Sequence, residues 1–220
     1  MNTLILLYHD IVRANKNLHI YDVGLDAFKA QMELLKVLIS DGKGNGNANR
    51  SHRLLNGQDV IVSFDDGYRI WAQEVLAILN DLNIKAYFFI CIKNINDASI
   101  LKGHIKALHE NGMVIGSHSV THRFMHQLSE KEIFEELSQS KRTLEDIVGQ
   151  AVECFSVPRG VHNESVIRIA REVGYTHVFT SQIGTNERFE YVLKRVAIKR
   201  DVNLEGFKNI LDGAPLGGEV

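Results

Sequence analysis

Seven short apolar runs punctuate the chain, at residues 4–8, 60–64, 86–92, 114–117, 152–156, 177–180 and 196–199. They are nearly continuous in Val, Ile, Leu and Phe, as strands are when both faces of a sheet are covered. Between them the apolar positions fall at helical spacing: Leu25, Phe28, Met32, Leu35, Leu38 and Ile39 in one segment, Ile133, Leu137, Leu144 and Ile147 in another. Ser129-Glu130-Lys131-Glu132 is a capping-box signature that opens the second of these helices, and Gly149 is placed to end it. Asn163 and Asn203 are placed as N-caps of two later helices. Strands alternating with helices predict an α/β fold built on a parallel sheet, open or closed into a barrel. Residues 40–56, rich in Gly, Asn and Ser, are the one linker-like stretch and join the first helix to the second strand. No repeat and no second composition break divides the chain, which reads as a single domain over 1–220.

Composition narrows the function classes. A formal net charge of -2 gives no electrostatic footprint for nucleic acid. The basic pairs Lys141-Arg142 and Lys194-Arg195 read as solvated helix or loop positions. Cys91 and Cys154 lie within apolar runs and are expected as buried, reduced thiols. No run has the length of a membrane span, and the first residues carry neither a basic leader nor a small-residue cleavage site. As written the chain is expected in the cytoplasm; a secreted or periplasmic protein trimmed of its signal would read the same way. The pattern fixes no oligomeric state.

Two segments carry the candidate chemistry. Ser63-Phe64-Asp65-Asp66-Gly67-Tyr68 ends the second apolar run, and His118-Ser119-Val120-Thr121-His122 follows the fourth. Functional residues of parallel α/β folds collect at the carboxyl ends of strands, and both segments satisfy that rule. Neighbouring carboxylates on an extended chain point in different directions, so one can bind a cation while the other faces a substrate. His118 and His122, four apart, would share a face on a helical turn and could grip one ion. An Asp-Asp-Gly turn and a solvated His pair are each commonplace alone; together, at strand ends of one chain, they suggest metal-assisted hydrolysis. His19, His52, His104, His109, His126 and His162 read as solvated, although His126 could extend the metal face. His177 reads as a core or supporting histidine, and Trp71, Tyr87, Phe88 and Phe89 as packing.

The two segments resemble the first two motifs of the polysaccharide deacetylases (family-four carbohydrate esterases, the NodB homology domain). Phe155-Ser156-Val157-Pro158-Arg159-Gly160 resembles the third motif in its Pro and Gly, and Leu7-Tyr8-His9-Asp10 is similar to the exopolysaccharide-deacetylase branch. The likeness runs from residue 4 to about residue 211. It implies a distorted (β/α)7 barrel, with Asp66, His118 and His122 binding a divalent ion, most often zinc, although cobalt, nickel or iron accept such ligands. It further implies Asp65 as the general base toward the attacking water and the Arg159 backbone N–H, just after Pro158, as an oxyanion donor. Tyr68 would lie on the same substrate side, and Ser119 would support the metal loop. The expected reaction is hydrolysis of the N-acetyl group of an N-acetylated sugar or polysaccharide, giving acetate and a free amine.

The chain departs from the family pattern twice. No Leu-x-His, from which many members take the proton donor, follows His177; the resemblance to the branch with an amino-terminal Tyr-His implies His9 as the donor instead. Ser156 stands where many relatives have an arginine that pairs with the base; Arg159 or Arg195 could take over that part. These departures motivate the alternative of a carbohydrate-binding homologue with impaired turnover; a third possibility is the same metal site acting on a non-sugar amide.

Overall fold

The computed structural model describes residues 2–13, 19–39, 57–213 and the backbone of 52–53. Most of the linker-like stretch 40–56, and the His52 side chain, lie outside the described residues. The strands are β1 (Thr3–Tyr8), β2 (Ile11–Val12), β3 (Val23–Gly24), β4 (His52–Arg53), β5 (Asp59–Asp66), β6 (Ala86–Ile90), β7 (Val114–Ser117), β8 (Cys154–Ser156), β9 (His177–Phe179), β10 (Val192–Leu193) and β11 (Val196–Ala197). The helices are α1 (Leu25–Leu38), α2 (Leu76–Asp81), α3 (Ile92–Asn96), α4 (Lys102–Glu110), α5 (Glu130–Val148), α6 (Glu164–Glu172) and α7 (Leu204–Leu211). All seven predicted strands are present, as β1, β5, β6, β7, β8, β9 and β11. The run at 86–92 ends earlier than its hydropathy suggests. Cys91 N–H makes the last ladder bond, to the Asp66 carbonyl at 2.9 Å, and Ile92 opens α3.

The main sheet runs β10-β9-β8-β7-β6-β5-β1-β11, every neighbouring pair parallel, with β4 antiparallel alongside β5. Its two ends, β10 and β11, are separated in sequence by only Lys194 and Arg195. One extended segment therefore touches both edges, which requires the sheet to curl into a barrel. Asn186 fastens this seam. Its side chain accepts from Lys194 N–H at 2.8 Å and donates to the Lys194 carbonyl at 3.0 Å, while its backbone exchanges two bonds with Thr3.

The pleat sorts each strand between two cores. On β5, Val60, Val62 and Phe64 face the helices, whereas Ile61 joins Ile5, Tyr87, Phe89, Phe179 and Leu193 in a smaller cluster. The same alternation places Ser63 and Asp65 on the inner side with Ile61, which is how a carboxylate comes to be buried in an apolar barrel. Outside the barrel, Phe64 stacks on Phe88 at 4.7 Å and packs against Phe28 and Trp71. Truncating Phe64 to Ala would cost about 3–5 kcal/mol.

The helix signals hold. Ser129 and Glu132 form the capping box of α5, Gly149 ends it in the left-handed region, and Asn163 and Asn203 cap α6 and α7. Both cysteines are free and buried.

Candidate active site

Register brings the two motif segments together. Asp66 pairs with Ile90 on β6, Ile90 pairs with Ser117 on β7, and His118 N–H donates to the Ile90 carbonyl at 2.9 Å. Asp66 itself has φ 92, a strained value for a residue with a side chain, and Gly67 follows at φ 117. With this bend Asp65 stays buried while the more accessible Asp66 carboxylate lies beside the histidines of the same cleft.

Asp66, His118 and His122 form one group. The Asp66 Oδ1 lies 3.4 Å from His118 Nε2 and 3.2 Å from His122 Nε2, and potential ligand atoms of the three residues are all within 4.8 Å of one another. The histidines do not converge by sharing a helical face, as their spacing suggests. Residues 118–122 form a loop in which Ser119 (φ 65) and His122 (φ 60) take left-handed conformations. The loop is held by buried groups: Glu136 on α5 accepts from Val120 and Thr121 N–H at 2.8 and 2.9 Å and bonds the Thr121 hydroxyl. Ser119 Oγ accepts from His122 N–H at 3.1 Å, the supporting part expected for that serine.

The donor set fits a divalent ion. Two imidazoles and one carboxylate are ordinary ligands for such an ion and leave coordination positions for other groups. His118 Nδ1 lies 2.8 Å from the Ser156 carbonyl, which can only accept, so Nδ1 carries the proton and Nε2 faces Asp66. Burial would raise the Asp66 carboxyl, but the imidazoles of His118 and His122 close beside it hold it well below the usual carboxylate range. His126 is not in this group, and its ring edge meets Phe124 instead.

Asp65 is bound differently. Arg195 Nη1 and Nη2 donate to its two oxygens at 2.8 and 2.7 Å, and Ser156 Oγ donates at 2.9 Å. The same guanidinium donates to Ser156 Oγ at 2.8 Å and, through Nε, to the Thr180 carbonyl at 2.8 Å, and it lies near the rings of Phe89 and Phe179. Arg195 is 1 % exposed and Asp65 2 %. The expectation that Lys194-Arg195 is a solvated pair is therefore corrected for Arg195. The short connection between β10 and β11 carries it into the barrel, where its charge meets that of Asp65. Between the two arginines that could stand in for the one missing at Ser156, the structure places Arg195, not Arg159, on the carboxylate. Burial raises the Asp65 carboxyl, and Arg195 and His118 lower it more, so it lies below its usual pKa.

His9 follows β1 and enters the same cleft. Its carbonyl accepts from Trp71 Nε1 at 3.1 Å, its ring stacks on Tyr21 at 4.9 Å, and its buried Nδ1 has no hydrogen-bond partner among the described residues. Burial lowers its pKa, while the charges of Asp65 and Asp66 act the other way. Trp71 opens a π-helical turn that precedes α2, and it is fully buried, as packing residues are. Tyr68 donates to Asp66 Oδ2 at 3.2 Å, and burial pushes its own pKa up. Pro158 is buried, whereas Arg159, at φ 59, is exposed.

The cleft, of about 1240 Å³, is lined by His9, Asp65, Asp66, Tyr68, His118, His122 and Arg159. Every predicted site residue except Pro158 thus borders a single space. Exposed His19 is on its rim as well, with Tyr21 and Asp22. His104, His109 and His162 are half-buried rather than solvated, and His177 packs on Phe189, away from the cleft.

The sequence profile of the polysaccharide deacetylases matches residues 53–178, more than half the chain. The chain belongs to this family. Among curated relatives, YxkH of Bacillus subtilis (strain 168) is 27% identical over 151 residues, covering 67% of this chain and 54% of YxkH. The peptidoglycan-N-acetylmuramic acid deacetylase PdaA of the same strain is 28% identical over 124 residues, 56% of this chain and 46% of PdaA. The chain thus spans about half the length of these two relatives. Solved structures share the fold across nearly all of it. The Streptococcus pyogenes deacetylase PplD has a TM-score of 0.78 at 19% identity, covering 95% of this chain and 97% of PplD. IcaB from Ammonifex degensii has a TM-score of 0.79 at 19% identity, with 96% of each chain covered. The curled parallel sheet with its outer helices is therefore the fold of this deacetylase family.

Proposed function

We propose that the chain is a metal-dependent N-deacetylase of an N-acetylated sugar polymer. The observation that carries this reading is the pairing, in one cleft, of a buried carboxylate fixed by Arg195 with an Asp-His-His group whose donors fit a divalent ion. PdaA and PplD, a peptidoglycan deacetylase and a deacetylase by name, support the reaction class.

In this reading Asp66, His118 and His122 hold the ion, zinc by preference, which when bound supplies Lewis-acid polarisation of the acetamide carbonyl. Asp65, kept ionised at neutral pH by Arg195, accepts the proton of the attacking water as its oxygen bonds to the carbonyl carbon. The Arg159 backbone N–H faces the developing oxyanion. His9 gives a proton to the amine as the carbon–nitrogen bond breaks, leaving acetate and a free amino sugar. Arg195 also weakens the case for an impaired homologue, since the pairing that Ser156 cannot supply comes from the connection between β10 and β11. The test is acetate release from N-acetylglucosamine oligomers by zinc-loaded protein, with Asp65→Asn as the control. Glycan binding without acetate release would instead favour a carbohydrate-binding protein.

A further inference from the structure

Arg159 has a backbone position in the reading above, but its side chain has no use there. The geometry around it is specific. Its guanidinium lies over the Phe124 ring, 4.4 Å from the centroid. Phe124 stands two residues beyond His122, so the stack joins the loop that carries the histidines to the turn that carries Pro158. That turn is fixed. Pro158 is buried, Arg159 sits at φ 59, and Gly160 at φ 71 lies so close to Ser181 that an added Cβ would collide with it. Among the described residues, no carboxylate pairs with Arg159, whereas Arg123, Arg168 and Arg195 each have one. Arg159 nevertheless lines the cleft with Asp66, His118 and His122.

A guanidinium stacked on an aromatic ring spends one face on the ring and keeps its in-plane N–H groups available. Those groups match the two oxygens of a carboxylate or phosphate in a bidentate bond. The stack also restrains the side chain before any ligand arrives, which lowers the ordering cost of binding. An unpaired, pre-ordered arginine at the mouth of a catalytic cleft is a receptor for an oxyacid.

We infer that Arg159, backed by Phe124, selects substrates carrying an anionic group, carboxylate or phosphate, on the reacting sugar or the one beside it. This deepens the deacetylase reading and rests on it. A bidentate charged contact of this kind is expected to favour the anionic substrate on the order of tenfold.

The experiment compares three oligomers of equal length: neutral N-acetylglucosamine, one containing the carboxylate-bearing N-acetylmuramic acid, and one phosphorylated on a sugar hydroxyl. Acetate release by zinc-loaded protein gives the ratio of kcat/KM for each anionic oligomer to the neutral one. The ratio should be about ten for at least one anionic oligomer, fall close to one in Arg159→Gln, and take an intermediate value in Arg159→Lys and Phe124→Leu. Which oligomer shows it tells carboxylate from phosphate. A wild-type ratio near one for both, or a ratio unchanged in Arg159→Gln and Phe124→Leu, overturns the inference. If no oligomer releases acetate, the deacetylase reading fails by itself. Calorimetric binding of the same oligomers to the wild-type protein then decides on Arg159: tighter binding of an anionic oligomer, lost in Arg159→Gln, supports it, and equal affinities overturn it.

Discussion

Replacing Arg195 by Met probes how the site keeps its base charged. Met can occupy the space between Phe89 and Phe179 but offers nothing to Asp65, which keeps only the Ser156 hydroxyl at 2.9 Å and the more distant His118. Removing one partner of a buried pair typically costs about 3–5 kcal/mol, because the other charge stays buried without compensation. The loss should depend on pH in a definite direction. In the wild type the folded-state pKa of Asp65 lies below its ordinary value, since Arg195 and His118 more than offset burial. Its contribution to stability is thus present above about pH 4, the unfolded value, and is lost as pH falls through the folded pKa. In Arg195→Met burial prevails, the folded pKa rises, and the variant loses stability as pH climbs past about 4. The stability gap between the two proteins should therefore be smallest below the wild-type folded pKa, already be open near pH 4, and widen further toward pH 7, by at most about 1.4 kcal/mol per pH unit for one proton. Urea unfolding of both proteins, metal-free and in chelator so that ion binding does not contribute, measures the gap. Adding Asp65→Asn to both completes a cycle, in which the cost of Arg195→Met should shrink by about 2 kcal/mol or more. A gap that is flat with pH, or below about 1 kcal/mol at pH 7, would refute the pairing as the reason Asp65 stays ionised.

Other residues make separate claims. His9→Ala should lower kcat by about 10²–10⁴-fold while bound metal, measured by atomic emission, stays at the wild-type level; turnover near wild type would remove His9 from the mechanism. Glu136→Gln keeps the shape of the group that holds Val120 and Thr121 but weakens its bonds, and zinc affinity should fall about 10–100-fold in a chelator competition. Gly160→Ala should cost about 1–3 kcal/mol in thermal unfolding, as its left-handed backbone and its contact with Ser181 leave no room for a methyl group.

Local signals were legible in the sequence wherever a single segment determines them. The capping box at Ser129, the N-caps at Asn163 and Asn203 and the seven strand runs depend on neighbouring residues, and they appear where periodicity puts them. Asp65 and Asp66 were separable in part for the same reason, since the pleat starts successive side chains in different directions, although the bend at Asp66 brings both carboxylates to one cleft. What the sequence hid is long-range. Arg195 reaches Asp65 across 130 positions of sequence, and only the closure of the sheet through residues 192–197 makes them neighbours. The part of Glu136 was equally hidden, since a glutamate on an amphipathic helix looks solvated until the loop it caps is in place. The backbone of the histidine loop was misleading in a different way. Spacing of four suggests a helical face, but left-handed Ser119 and His122 achieve the convergence in a loop.

The central claim, that an ion held by Asp66, His118 and His122 works with Asp65 on an N-acetyl group, is tested most directly by acetate release. Metal-free protein should release none from N-acetylglucosamine oligomers, activity should return with zinc in proportion to one ion bound per chain, and Asp65→Asn should bind the ion yet release none. Turnover that persists in chelator, or that survives in Asp65→Asn, would contradict the account.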